Sequence, residues 1–437
     1  MTTVTVSRPS VSAPPHRWTL PNGLRIIAAP RPGTGVVALA VHYGVGYRSE
    51  PADRAGFAHL FEHLMFQGSE NVAKLEHLRR IQAAGGSCNA VTARDHTCYY
   101  DLVPAAALDL ALFLEADRMR APRLTAEDIA TQLRVIREEI GANVLGRPYG
   151  GMPWLLLPPI LFSSYANTHN GYGAVDELST ATVAECASFF ARYYRPANAV
   201  VTVAGDVDPD TVRALATRHF GSIAAPAAGP AESTDAAEPP LPAERTGRHH
   251  DRLAYAPATA YGWRLTGLDD RHAYVLLAAV LAGGDAAALR RDLVAGGVAS
   301  SVSATAGLTG EAYESRDPDA FVLTAMHRPG AGGEPALRAA VDAELHRLAT
   351  DGPSDDELAD ARIRSLVARH RRLGRLKDLA QALGAAEILH GTAQLPLEVT
   401  GRIAGGDGAD VARAAAALER AHRAVLHVET GADGGAR

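Results

Sequence analysis

His59-Leu60-Phe61-Glu62-His63 sits within Gly56-Phe57-Ala58-His59-Leu60-Phe61-Glu62-His63-Leu64-Met65-Phe66-Gln67-Gly68, and these residues decide how the chain is read. Apolar residues recur there every three or four positions, the spacing of an amphipathic helix. Side chains four apart on a helix stand one above the other, with about 5–6 Å between Cβ atoms. Two imidazoles so placed can both reach one Zn²⁺, at roughly 2.0–2.1 Å each. Glu62 comes one position before the second histidine, near such an ion without having to bind it. That leaves its carboxylate available to take a proton from water. The order is the reverse of His-Glu-x-x-His. The competing reading is a hydrogen-bonded polar pair in the core. Two histidines and an acid among Phe, Leu and Met are costly to bury without a purpose, which favours the metal.

A chain of 437 residues is too long for one ordinary core and implies two to four domains. Its 47% hydrophobic and 21% charged content is that of a globular protein. A net charge of −6 with no basic stripe argues against nucleic acid as a partner. The start, Met1-Thr2-Thr3-Val4-Thr5-Val6-Ser7-Arg8-Pro9, has no charged segment leading into an apolar one, so no signal peptide is expected. No uncharged apolar run approaches about 18–20 residues, so no membrane span is expected. Cys88, Cys98 and Cys186 are sparse and lack Cys-x-x-Cys spacing, which fits free thiols in a reducing, cytoplasmic setting.

The strongest punctuation is Ala224 to Glu244, a Pro/Ala-rich stretch whose one large apolar residue is Leu241. It divides the chain into a first domain over 16–223, a linker over 224–244 and a second domain over 245–437. Each half runs through a comparable order of elements. The first has strands at Leu24 to Ala28 and Val36 to Tyr43, then the His59 helix ending at Gly68. The second has a strand from Ala258 to Leu265, then a helix from about Asp269 to Leu281. At the metal positions the second helix carries Tyr274, Leu277 and Ala278 or their neighbours, none of them ligands. The expected fold is α+β: two homologous sandwiches, each a mixed sheet covered by helices.

A catalytic zinc needs a third protein ligand. Glu70, Glu76, Asp95, Asp101, Glu115, Asp117, Glu138 and Glu139 are all near in sequence. Helix phase narrows the choice. Thr125 followed by Asp128 is a capping-box-like start to a helix through Ile140, with an apolar stripe of Ile129, Leu133, Ile136 and Ile140. At about 100° per residue Glu138 points away from the stripe, whereas Glu139 falls at its edge beside Gln132 and Val135. From that edge Glu139 either reaches a buried metal or is an ordinary boundary residue, and phase does not choose between them. His249-His250-Asp251 is a second possible ligand cluster, but just after the linker it reads as solvated.

The chain resembles the M16 family of zinc peptidases, in its processing-peptidase-like branch. That family's motif is His-x-x-Glu-His followed about 76 residues later by a ligand Glu, and Glu139 lies 76 residues beyond His63. The resemblance extends through Leu20-Pro21-Asn22-Gly23-Leu24, Gly85-Gly86-Ser87-Cys88-Asn89-Ala90, Tyr99-Tyr100 and Tyr193-Tyr194-Arg195-Pro196-Ala197-Asn198-Ala199. Past the linker it continues in Gly262-Trp263-Arg264 and from Leu293-Val294 to Ala299-Ser300-Ser301-Val302-Ser303.

The resemblance implies one Zn²⁺ per chain held by His59, His63 and Glu139, with Glu62 as general base. It also implies a peptide substrate bound as an added strand along Asn89-Ala90, in the hairpin from Cys88 to Val103 that turns at Arg94-Asp95. Two departures stand out. Many relatives have Glu seven residues before the ligand Glu, where this chain has Gln132, which can still orient a ligand. Active assemblies carry an Arg and a Tyr in the non-catalytic half, where this chain has Leu293 and Ser300. That points to a heterodimer whose homologous, zinc-free partner supplies the Arg and Tyr. The alternative is a non-catalytic scaffold subunit of the same family.

Overall fold

Val36–Tyr43 and Ala258–Leu265 form strands with the expected bounds, and each runs through the interior of a sheet. The computed structural model describes residues 14–173, 175–224, 236–330 and 332–431; linker positions 225–235 lie outside the described residues. The first sheet comprises β1 (His16–Thr19), β2 (Arg25–Pro30), β3 (Val36–Tyr43), β4 (Ser87–Thr92), β5 (Thr97–Pro104) and β6 (Ala199–Gly205), in the order β1-β2-β6-β3-β5-β4. The second comprises β7 (Arg245–Asp251), β8 (Ala258–Leu265), β9 (Ala299–Ala306), β10 (Asp319–His327) and β11 (Ala424–Thr430), in the order β7-β11-β8-β10-β9.

Without β1, the two orders agree strand for strand. Each sheet has one parallel pair, β2 with β6 and β7 with β11, and is otherwise antiparallel. The chain is thus α+β, with two mixed sheets of one topology, each covered by helices.

The helices that cover the inner face of the first sheet include α1 (Phe57–Leu64), α2 (Glu76–Ala83), α3 (Leu108–Arg120) and α4 (Ala126–Ile140), with Val183–Tyr193 and Pro209–Phe220 packed into the same core. They close one core, in which Leu39, Val41, Leu60, Phe61 and Ile136 are fully buried. The outer face is covered from the other half of the chain. Leu379, Ala380 and Leu383 of the helix Leu376–His390 pack on Ile27, Ala38, Ala40 and Val200. In return Leu157, Leu161 and Phe162 pack on Ala258, Ala260, Val322 and Leu426 of the second sheet. Each half therefore lends apolar surface to the other's sheet.

The approach of the Leu376–His390 helix is close because Gly384 has no side chain: a Cβ there would lie 2.3 Å from His42 Nδ1. Buried ion pairs fix the same interface. Arg48 binds Asp95 at 3.1 Å, Asp95 accepts from Arg316 N at 2.8 Å, and Arg94 meets Asp319 at 3.3 Å. Arg94 and Asp95 form the expected hairpin turn, yet this turn is buried against the second half rather than solvated.

The described end of the linker is also anchored. The Glu238 carboxylate accepts from Ser163 N, Ser164 N and Asn167 Nδ2 and pairs with Arg264. No helix among the described residues is long and apolar enough to cross a membrane.

Candidate metal centre

Helix α1 begins without a capping side chain, since Gly56 takes the N-cap position at φ 92°. Its first N–H groups are met from outside the helix. Glu50 accepts from Gly56 N and Ala58 N at 2.7 Å each, and an acid at a helix N-terminus also suits the helix dipole. A Cβ at Gly56 would lie 2.7 Å from the Tyr172 carbonyl oxygen. Both left-handed backbone and close packing therefore require glycine here. The helix stops at Leu64, four residues before the expected Gly68, and the His63 carbonyl accepts from Phe66 N at 3.3 Å and from Gln67 Nε2 at 3.1 Å.

Phe57, Leu60, Phe61 and Leu64 anchor α1 in the core, which leaves His59 and His63 on its flank, their ring centroids 4.9 Å apart. Helix α4 passes alongside. Thr125 caps it by accepting from Asp128 N at 3.1 Å, and Ile129, Leu133 and Ile136 are buried as the stripe requires. Glu138 is exposed, while Glu139 is half-buried and turned to α1. Glu139 Oε2 lies 3.7 Å from His59 Nε2 and 3.3 Å from His63 Nε2. One donor atom from each of the three falls within 4.8 Å of the others. Around a tetrahedral zinc with bonds near 2.0–2.1 Å, donor atoms stand about 3.4 Å apart, so the set fits such an ion.

Glu62 lies beside this set, its Oε2 accepting from Thr92 Oγ1 at 2.6 Å. Burial raises the Glu62 pKa, partly offset by the Thr92 hydrogen bond and the nearby His63. Burial and the neighbouring His63 lower His59 to about 4, so its imidazole is neutral and its lone pair available. For His63 burial acts downward, but the Glu139 hydrogen bond and the Glu62 charge outweigh it and the pKa ends up raised. Hydrogen bonding to His63 lowers Glu139 despite partial burial.

Gln132, picked out by its spacing, does meet the site: His63 Nδ1 donates to its Oε1 at 3.3 Å. His59 Nδ1 has no such partner among the described residues. Two neighbours had no signal in the sequence. Tyr172, from an irregular stretch far along the chain, stands beside Glu139, where burial and the Glu139 charge raise the tyrosine's pKa, and sets its ring edge-on to His59 at 5.1 Å. Thr92 reads as an ordinary strand residue, and only the packing of β4 against α1 brings it to Glu62.

β4 is the edge strand, paired with β5 and with no other strand among the described residues. Asn89 and Ala90 lie on it, Asn89 exposed and Ala90 buried. Strand alternation puts Cys88, Ala90 and Thr92 toward the helices and Asn89 on the opposite face. In the second half, Leu293 is buried in the core and Ser300 Oγ donates to the Met326 carbonyl at 3.3 Å. His249 and His250 do not gather into a ligand set, and Asp251 accepts from Tyr149 N and Leu253 N.

Residues 25–145 match the family described as Insulinase (Peptidase family M16), and residues 180–364 match Peptidase M16 inactive domain. An uncharacterized zinc protease of Mycobacterium bovis is 36% identical over 214 residues, which is 49% of this chain and 48% of that relative. The matched stretch thus spans about half the length of the relative. The crystal structure of a protease from Helicobacter pylori superposes with a TM-score of 0.87 at 24% identity, covering 95% of this chain and 99% of that one. The periplasmic protease PqqL from Escherichia coli superposes with a TM-score of 0.78 at 18% identity, covering 97% of this chain and 48% of that one. With these matches and the repeated sheet order, the chain belongs to peptidase family M16.

Proposed function

We propose that the chain is a zinc-dependent endopeptidase acting on short or unfolded peptides. The observation that carries this reading is the convergence of His59, His63 and Glu139 within 4.8 Å beside a Glu62 carboxylate held by Thr92. His59, His63 and Glu139 would hold one zinc ion per chain. Zinc in that place supplies Lewis acidity to a scissile carbonyl and lowers the pKa of water. Glu62 takes the proton from water at its carboxylate and passes it to the leaving amine, and its raised pKa suits both transfers. Thr92 fixes the Glu62 carboxylate, Gln132 fixes the His63 tautomer so that Nε2 faces the site, and Tyr172 steadies Glu139.

The substrate pairs along the open edge of β4, past Asn89 and Ala90, where main-chain hydrogen bonds tolerate many sequences. Leu293 and Ser300 offer no counterpart of an Arg–Tyr grip on that peptide. A homologous, zinc-free partner chain in a heterodimer supplies it. Three free thiols fit work in the cytoplasm.

The second reading, a non-catalytic scaffold subunit, draws on the same Leu293 and Ser300. Metal analysis combined with cleavage of a quenched peptide, with and without a co-purifying homologue, separates the two. Zinc together with cleavage supports the peptidase. Zinc without cleavage in either setting favours the scaffold, and a chain that takes no zinc overturns the proposal.

A further inference from the structure

Beneath β4, on the side away from solvent, lies a second set of metal-ligating side chains that shares no residue with the first. His77, in the first turn of α2, is 5% exposed. Cys88 faces inward from β4, and Asp101, 1% exposed, stands directly opposite it on β5. One donor atom from each lies within 4.8 Å of the others, and His77 Nε2 is 3.4 Å from Asp101 Oδ1. Glu115 of α3 adds a carboxylate oxygen 3.9 Å from His77 Nε2 and is gripped by the buried Arg118.

As it stands, this cluster satisfies its polar groups incompletely: His77 Nε2 meets Asp101 Oδ1 at 3.4 Å, while the buried Arg118 Nη1 has no partner. Two buried carboxyl groups share one guanidinium, and burial keeps the His77 imidazole neutral, its pKa near 3. Asp101 Oδ2 is buried and receives no hydrogen bond, a defect that ordinarily costs about 1–3 kcal/mol.

We propose that His77, Cys88 and Asp101 bind a second, structural zinc ion, with Glu115 the nearest group for the fourth position. An imidazole, a thiol and a carboxylate together are the donor mixture that zinc takes, and tetrahedral donor spacing of about 3.4 Å matches the His77–Asp101 separation. On binding, the Cys88 thiol gives its proton to solvent. The negative charges of Cys88, Asp101 and Glu115 are then offset by the ion and by Arg118. The ion would tie α2 to both strands of the edge hairpin. Thr92, which holds Glu62, is four residues further along the same face of β4, about 13 Å away. The second site thus secures the strand that positions the general base, and it stands independently of the peptidase reading.

The test is a count of zinc on the full-length chain purified with added zinc. The unmutated chain should hold about two equivalents and the double variant His59→Ala/His63→Ala about one. Adding Cys88→Ser to that variant should remove the remaining zinc. With cobalt(II) in place of zinc, a thiolate-to-metal charge-transfer band should appear in the unmutated chain and in the double variant. It should survive Cys98→Ser and vanish in Cys88→Ser. A double variant without metal, or a chain whose cobalt form shows no thiolate band, overturns the proposal. So does a band that Cys88→Ser leaves intact. If Cys88→Ser fails to fold, the cobalt band of the unmutated chain and the zinc count of the double variant still decide the matter.

Discussion

The two halves of the chain build the same junction and use it differently. In the first, α1 packs against α4 and the edge strand β4; in the second, the helix Arg271–Ala282 packs against the helix Asp355–Leu373 and the edge strand β9. Aligned on the glycines that end the two helices, His59, Glu62 and His63 fall against Tyr274, Leu277 and Ala278 or their neighbours, and Leu277 is fully buried. Ligands give way to apolar packing. The junction there holds a half-open pocket of about 340 Å³ lined by Val275, Ala278 and Val399 together with Glu311, Arg369 and Arg372. A sheet edge, a short helix and a long helix are therefore a generic frame, and the chemistry rests on a few side chains mounted in it. The first copy accepts desolvated imidazoles and carboxyls that only a bound cation or a proton can balance, whereas at the second junction Glu311 and Glu314 are paired with Arg372.

The sharpest way to break the contrast is to remove the proton carrier while sparing the ligands. Glu62→Gln should leave zinc bound and lower peptide cleavage by at least roughly 10²–10⁴-fold, read by metal analysis alongside steady-state kinetics. The mirror experiment acts on the second copy. Leu277→Ala opens a void in a packed core and should cost about 2–5 kcal/mol of stability in thermal or denaturant unfolding, with zinc content unchanged.

A third probe addresses the face where the halves join. His96 is buried beneath the Leu376–His390 helix with its pKa lowered to about 4, and His42 beside it is lowered as well. A folded-state pKa below the unfolded value means that the unfolded chain binds more protons in between. Stability is thus fully present above about 6.5 and falls as pH drops toward 4, by on the order of 3 kcal/mol from His96 alone. Unfolding midpoints measured across that range check it, and a flat profile would contradict the buried neutral histidines. The smallest effect is Gln132→Ala, which frees His63 Nδ1 and should weaken zinc binding about 10–100-fold in chelator competition.

Much of the site was legible because it is local. Helical periodicity alone places His59 and His63 four apart on one flank, and the phase of α4 separates exposed Glu138 from half-buried Glu139. β3 and β8 stand out as short, mostly apolar runs, and both are buried along nearly their whole length. What could not be read is what depends on non-local approach. Glu50 caps α1 from a preceding loop, Thr92 reaches Glu62 across a sheet edge, and Tyr172 arrives from an irregular segment. Arg94 and Asp95 read in the sequence only as a hairpin turn and are also buried anchors, because Asp319 and the Arg316 N–H that they meet belong to the other half of the chain.

The sequence by itself thus determined the His59–His63 pair, the Glu62 between them, the doubling of the fold and the absence of such a set from the corresponding helix of the second copy. All of these follow from residue type, the 3.6-residue helical period and short apolar strand runs, which act over one helix or strand. Tertiary structure alone decided that Glu139 turns to His59 and His63, that Thr92 holds the base, and that a helix from the second half crosses the back of the first sheet at Gly384. Those features depend on which surfaces meet, and that is set by packing the whole chain rather than by any one of its segments.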